Sequence, residues 1–274
     1  MLPSIKHLLL FTFLFVITSC GNNIATSENM EENENAIKAP TQLQYEVVKV
    51  YTHDTSAYTQ GLEWHGETLV EGTGNYGKSI LHKMDANMQS IGKKISLPKE
   101  LFGEGITIFK EKIYQLTWKE HKVFVYDANT LKKEKELYWP YEGWGITHND
   151  SALIISTGGS NIYLVDPNTF AIQKTIGVYN NYGYVSDINE LEYVDGKIYA
   201  NLYGQNEVVV IEPETGQVLN NINFSNLLAQ ANVKYDPATI DVGYVLNGIA
   251  YQPKSNTFFM TGKCWPVMVE IKLK

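Results

Sequence analysis

Cysteine is nearly missing from this chain. Of its 274 residues only Cys20 and Cys264 carry a thiol. A domain lying after Cys20 therefore has no internal disulfide, and its stability has to come from packing. Histidine is almost as sparse. The six present (His7, His53, His65, His82, His121 and His148) show neither i, i+4 spacing nor a CxxC partner, which argues against a zinc site. Charge is thin as well, at 19% of residues, and its balance is negative, −8 at neutral pH. Nucleic acid and anionic lipid surfaces are poor partners for such a chain. Apolar runs reach only ten residues, Leu8 to Ile17, which is short for a membrane span.

That run has a purpose nonetheless. Lys6 and His7 precede it and Thr18-Ser19-Cys20-Gly21 follow, the layout of an export signal. Ile17-Thr18-Ser19-Cys20 resembles the bacterial lipobox, which implies cleavage after Ser19 and acylation of Cys20. Residues 21 to about 43 are rich in Asn, Ser, Glu, Thr and Ala without apolar periodicity, so they cannot offset the entropy of ordering. The expected organisation is a signal peptide over 1–19, a lipidated Cys20 and flexible tether over 20–43, and a folded domain over 44–274. The expected location is the periplasmic or cell-surface face of a membrane, with contact through the lipid anchor only. Plain secretion with a coincidental cysteine is the alternative.

Tyrosine (18) and glycine (21) are abundant, a balance that suits short strands and tight turns. From Gly61 onward a pattern returns. Gly61-Leu62, Gly105-Ile106, Gly145-Ile146, Glu190-Leu191 and Gly248-Ile249 occupy equivalent places, 40 to 58 residues apart. After each come a short strand, a turn, a second strand and a third. Units of this length and strand count are the signature of a β-propeller, and five units predict five blades. The last unit ends at Lys274 without room for an outer strand, while Tyr45–Tyr51 is a strand lacking a partner. The prediction is an all-β, five-bladed propeller whose N-terminal strand closes the ring in the last blade, which removes open edges. A β-sandwich is the alternative, and it leaves the matching register of five hairpins unexplained.

First strands of propeller blades line the central channel, so equivalent positions converge. The residues just before the repeated Gly or Glu are Gln60, Glu104, Trp144, Asn189 and Asn247. The opposite edge of each hairpin carries Thr73-Gly74, Thr117-Trp118, Thr157-Gly158, Asn201-Leu202-Tyr203 and Gly262-Lys263. One end of the ring should thus collect one carboxylate, one ammonium, several carboxamides and aromatic walls, the form of a small-molecule pocket. An acid such as Glu104 beside an indole such as Trp118 is a plausible acid/base, because apolar surroundings raise a carboxyl pKa. The plainer reading is polar residues hydrating a water-filled channel. Cys264 lacks a ring-level His to activate it, and Asp127, Asp166 and Asp195 sit at turns.

Seven stretches in order carry a resemblance. They are Tyr58-Thr-Gln-Gly-Leu62, Phe102-Gly-Glu-Gly105, Gln115-Leu-Thr-Trp118, Gly143-Trp-Gly-Ile-Thr147, Asn189-Glu-Leu-Glu192, Leu246-Asn-Gly-Ile-Ala250 and Thr261-Gly-Lys-Cys-Trp-Pro266. Together they make residues 45 to 274 resemble the plant and bacterial glutaminyl cyclotransferases. The resemblance implies a five-bladed propeller that turns the N-terminal Gln of a peptide or protein into pyroglutamate, releasing ammonia without a metal or other cofactor. It implies that Glu104 is the general acid/base, and that Lys263 and Asn189 polarise the γ-carbonyl. Gln60 would orient the reacting groups. Tyr58, Phe102, Trp118, Trp144, Tyr203 and Asn247 would complete the substrate site. A monomer is expected.

Two positions depart from the family pattern, which usually has Phe at Tyr58 and Trp at Tyr203. Both affect the pocket wall more than the reaction. A peptide-binding propeller without catalysis is the second functional reading, and a calcium-dependent lactonase-type hydrolase the third. Glu104, Asn189 and Lys263 together favour the first. The lack of clustered ring acids argues against the third.

Overall fold

The structure is a computed structural model that describes residues 36–234 and 243–274. The expected signal peptide, Cys20 and most of the tether lie outside the described residues. Two strands, β1 (Thr41–Leu43) and β2 (Tyr45–Thr52), precede the first blade. Blade one is β3 (Thr59–His65), β4 (Thr68–Thr73), β5 (Ile80–Met84) and β6 (Ser90–Ser96). Blade two is β7 (Gly103–Phe109), β8 (Lys112–Thr117), β9 (Lys122–Asp127) and β10 (Lys133–Tyr138). Blade three is β11 (Ile146–His148), β12 (Leu153–Ser156), β13 (Asn161–Val165) and β14 (Ile172–Gly177). A small hairpin, β15 (Tyr179–Asn180) with β16 (Gly183–Tyr184), leads into blade four.

Blade four is β17 (Ile188–Val194), β18 (Lys197–Leu202), β19 (Glu207–Ile211) and β20 (Val218–Asn223). The single turn of helix α1 (Leu227–Gln230) follows. Blade five is β21 (Leu246–Gln252), β22 (Thr257–Gly262) and β23 (Val267–Leu273), and β2 joins it as the outer strand, antiparallel to β23. Five sheets thus form five blades, with the ring closed as the orphan strand Tyr45–Tyr51 predicted.

One boundary moves. Thr41–Leu43 falls in the stretch expected as tether, yet it pairs in parallel with β20 as a fifth strand of blade four. Its polar side chains supply the reason. Gln42 donates to Asn221 O at 3.1 Å, Asn220 donates to Thr41 Oγ1 at 2.5 Å, and Leu43 packs on the core. Local composition gives no hint of this pairing, because the partner lies some 180 residues on.

Five apolar clusters fill the five gaps between neighbouring blades. Side chains on a strand alternate between faces, so Leu69 packs toward blade five while Val70 packs toward blade two. Leu153 and Ile154 divide in the same way between blades two and four. Inner strands buried on both faces need apolar residues throughout, and that is why they read as runs rather than alternations. Outer strands differ. β6 (SIGKKIS) and β10 (KEKELY) are mostly exposed and carry charge, which blunts pairing with other chains.

At the hub the blades meet backbone to backbone. A Cβ on Gly105 would lie 2.6 Å from Trp144 O, and one on Gly145 would lie 2.0 Å from Asn189 O. The repeated glycine is therefore a demand of close approach. Blade four substitutes Glu190, whose buried carboxylate accepts from Leu62 N (3.2 Å) and Ile249 N (2.9 Å) and so ties blade four to blades one and five.

Candidate active site

The site begins with an irregularity repeated around the ring. In blades one, two, four and five the register of the two inner strands shifts by one residue near the start of the first strand. In blade two, for example, Gly103 faces Thr117 but Ile106 faces Gln115, so Glu104 and Gly105 together oppose Leu116. The corresponding pairs are Asn189-Glu190 in blade four and Asn247-Gly248 in blade five. Blade three does the same with backbone bonds, since Trp144 N and Gly145 O both engage Ser156. Such a bulge re-aims a side chain out of the pleat. It explains why polar residues stand where a regular strand would carry apolar ones.

Tyr58, Gln60, Phe102, Glu104, Trp118, Trp144, Asn189, Tyr203 and Lys263 line one cavity of about 220 Å³. All five blades or the loops entering them contribute. Lys263 Nζ donates to Gln60 Oε1 at 2.7 Å and sits over the rings of Tyr58 (4.7 Å) and Tyr203 (5.2 Å). Both partners of Gln60 engage its Oε1, so the amide nitrogen keeps its two donors. Asn189 Oδ1 is buried and has no hydrogen-bond partner among the described residues. The aromatic walls meet edge to face, Tyr58 with Phe102 at 6.2 Å, Phe102 with Trp118 at 5.6 Å and Trp144 with Tyr203 at 5.6 Å.

Asn247 does not join this lining. It is fully buried behind Gln60, donating through Nδ2 to Thr59 O (3.0 Å) and to Gln60 Oε1 (3.4 Å). The expectation that it contacts substrate is corrected to a supporting place one layer down. Its bulge follows the ring rule, but its amide nitrogen is spent on the neighbouring blade, while its Oδ1 is buried with no partner among the described residues.

Glu104 and Lys263 are the charged pair of the cavity, 5% and 3% exposed. Burial pushes the Glu104 carboxyl well above its usual range; Lys263 opposes that, and Glu120 and Glu142 add to it. Burial also lowers the Lys263 ammonium to about 8, with Glu104 resisting. A carboxyl raised well above its usual range and an ammonium lowered to about 8 are suited to exchanging protons with a bound amine or amide. The Tyr58 phenol is raised by burial first, then by the neighbouring Tyr203 hydroxyl and by Glu104, so it stays protonated. Tyr58 and Tyr203 thus bring two hydroxyls to the Lys263 side of the cavity.

Two carboxylates escaped the sequence reading. Glu120 accepts from Tyr76 Oη at 2.9 Å and from Phe102 N at 3.4 Å, and Glu142 accepts from the indoles of Trp118 and Trp144. Neither occupies a repeat position. For Glu142 the only sequence signal is adjacency to Gly143-Trp144. Cys264 follows Lys263 in a left-handed conformation (φ 59°) and is absent from the lining.

Fold and site define a five-bladed propeller with a cavity lined by one buried acid, one buried base and aromatic walls, a class suited to proton transfer on a small polar group. The chain belongs to the glutamine cyclotransferase family, whose model matches residues 17–273. It is 34% identical over 266 residues to the glutaminyl-peptide cyclotransferase of Arabidopsis thaliana, covering 96% of this chain and 79% of that protein. It is also similar to the crystal structure of Myxococcus xanthus glutaminyl cyclase. There the TM-score is 0.77 and the identity 32%, with 86% of this chain and 98% of the other covered.

Proposed function

We propose that the protein is a glutaminyl-peptide cyclotransferase, closing the N-terminal Gln of a peptide or protein into pyroglutamate with loss of ammonia. The observation that carries this reading is a buried carboxyl and a buried ammonium sharing one cavity with a carboxamide whose oxygen has no partner among the described residues. In the reaction the α-amine nitrogen attacks Cδ of the side-chain amide, an N–Cδ bond forms, and the bond from Cδ to the amide nitrogen breaks. One proton must leave the amine and one must reach the departing nitrogen.

Glu104 suits that transfer. A carboxylate of raised pKa is a stronger base toward the amine, and once protonated it is an acid for the leaving group. Lys263 Nζ and the Asn189 amide nitrogen would donate to the carbonyl oxygen as negative charge gathers there, the contribution that usually counts most. Gln60 keeps two donors for orientation, with Asn247 fixing it from behind. The aromatic walls would hold the side chain folded back on its own amine. For an intramolecular reaction that restriction supplies much of the rate.

The functional test is incubation of the purified protein with Gln-peptides while following ammonia and the corresponding mass loss. Absence of both would leave the peptide-binding reading in its place. The proposal extends to an exported lipoprotein anchored through acylated Cys20, facing the periplasm or cell surface and acting as a monomer. The lipobox-like Ile17-Thr18-Ser19-Cys20 supports the anchor.

A further inference from the structure

We propose that Glu142 is a positioning residue that fixes the spacing of the two indole walls by accepting both on one carboxylate oxygen. The inference rests on the cyclisation proposed above. Glu142 Oε2 receives Trp118 Nε1 at 2.8 Å and Trp144 Nε1 at 3.2 Å. Trp118 follows the second strand of blade two and Trp144 opens blade three, so the bracket spans a blade interface. A carboxylate oxygen has two lone-pair sites, and here both point at groups that face the substrate.

The surroundings hold the bracket in place. Lys119 Nζ lies 3.8 Å from Glu142 Oε1 and 3.8 Å over the Trp118 ring, so that indole is held at its N–H edge and on one face. The backbone of Glu142 is fixed separately, since the buried Trp139 donates its Nε1 to Glu142 O at 3.2 Å. Truncating the side chain should therefore release the indoles without unravelling the loop.

What the bracket joins is an arc of rings. Tyr58, Phe102 and Trp118 touch in sequence on one side, and Trp144 and Tyr203 on the other. Glu142 links the two halves through polar bonds with directional geometry, whereas edge-to-face contacts tolerate sliding. A wall that keeps its spacing pre-pays the ordering of the substrate side chain, so its loss should be felt in binding before chemistry.

The test compares Glu142→Ala with Glu142→Gln, whose carbonyl oxygen can still accept an indole N–H. For Glu142→Ala the expected result is a KM for a Gln-peptide raised roughly tenfold, as for loss of a hydrogen bond to a charged group. Turnover should stay within about threefold, the split expected when mainly binding is lost. The Gln variant should recover most of the KM. In ¹H–¹⁵N spectra the indole resonances of Trp118 and Trp144 should move in Glu142→Ala while those of Trp64, Trp139 and Trp265 hold. An unchanged KM, unmoved Trp118 and Trp144 resonances, or a Gln variant as impaired as the Ala variant would each overturn the proposal. If the wild type fails to cyclise Gln, the functional reading falls, and the resonances still decide the bracket on their own.

Discussion

Lys263 Nζ donates to Gln60 Oε1 at 2.7 Å, although the two residues stand 203 positions apart in the chain. The bond crosses the seam between the last blade and the first. It ties the ammonium to a carboxamide and leaves Glu104 as its countercharge. The proposed chemistry therefore sits beside that seam, and the pair Glu104–Lys263 should govern both rate and pH dependence.

Replacing the carboxyl tests the first point. Glu104→Gln keeps shape and removes the transferable proton, so turnover should fall roughly 100- to 10,000-fold, the usual range for loss of a general acid/base. KM should change little. Ammonia release from a Gln-peptide is the assay, and near wild-type release would remove Glu104 from its role.

The pH profile tests the second. As a base Glu104 must be ionised, so activity rises as pH climbs through its raised pKa. As a cation Lys263 must stay protonated, so activity falls as pH passes about 8. A bell with its basic limb near 8 is expected for turnover, the two limbs belonging to the coupled pair. Lys263→Arg, whose charge does not titrate, should abolish that basic limb in whatever activity it retains. A limb left in place would assign it elsewhere.

A buried ion pair beneath the site should dominate stability. Glu71 accepts from Thr59 Oγ1 (2.7 Å) and pairs with His53 (3.1 Å) and His82 (2.9 Å). His53 faces an acceptor with each nitrogen, Glu71 on one side and Trp265 O on the other, so it is held as the cation. Burial would raise the Glu71 carboxyl, but His53 and His82 more than offset it and the net is far below normal. Burial would lower His53, and Glu71 reverses that to a net rise.

The Glu71 contribution is thus present above about pH 4.3 and is lost in acid as pH falls through the depressed value. The His53 contribution is present below about pH 6.5 and is lost as pH rises through the elevated one. Thermal stability should peak between those limits. Glu71→Gln should cost about 3 kcal/mol or more, as for one partner removed from a buried pair, and should flatten the pH dependence. Denaturant melts across pH measure both.

The proposed anchor is checked by metabolic labelling with a fatty acid. The wild-type protein should carry the label and partition with membranes, and Cys20→Ala should do neither. A labelled Cys20→Ala protein would refute the lipobox assignment.

Much of the fold was legible because the hub imposes a recurring rule. Close blade contact demands Gly, so Gly61, Gly105, Gly145 and Gly248 mark blades in the sequence, and the residue before each marks the bulge. The same rule brought Gln60, Glu104, Trp144 and Asn189 to one cavity while also naming Asn247, which the structure keeps below it. Position in a repeat tells which ring a residue joins, not which of its bonds are already taken. Glu142 and the strand Thr41–Leu43 were illegible for the opposite reason. Each is defined by a partner outside any repeat, an indole pair in one case and β20 in the other.

The seam also fixes an order of events during synthesis. β2 is made before any blade, yet its partner β23 comes at the far end of the chain. Until the ribosome has delivered that end, β2 has no sheet to enter and blade five has no outer strand. Lys263 arrives in the same late stretch. A chain that carries only blades one to four lacks Lys263, so no incomplete product has the full set of groups proposed for the reaction. β2, made early, waits for the last strand, and the proposed set of groups is completed in the same late stretch.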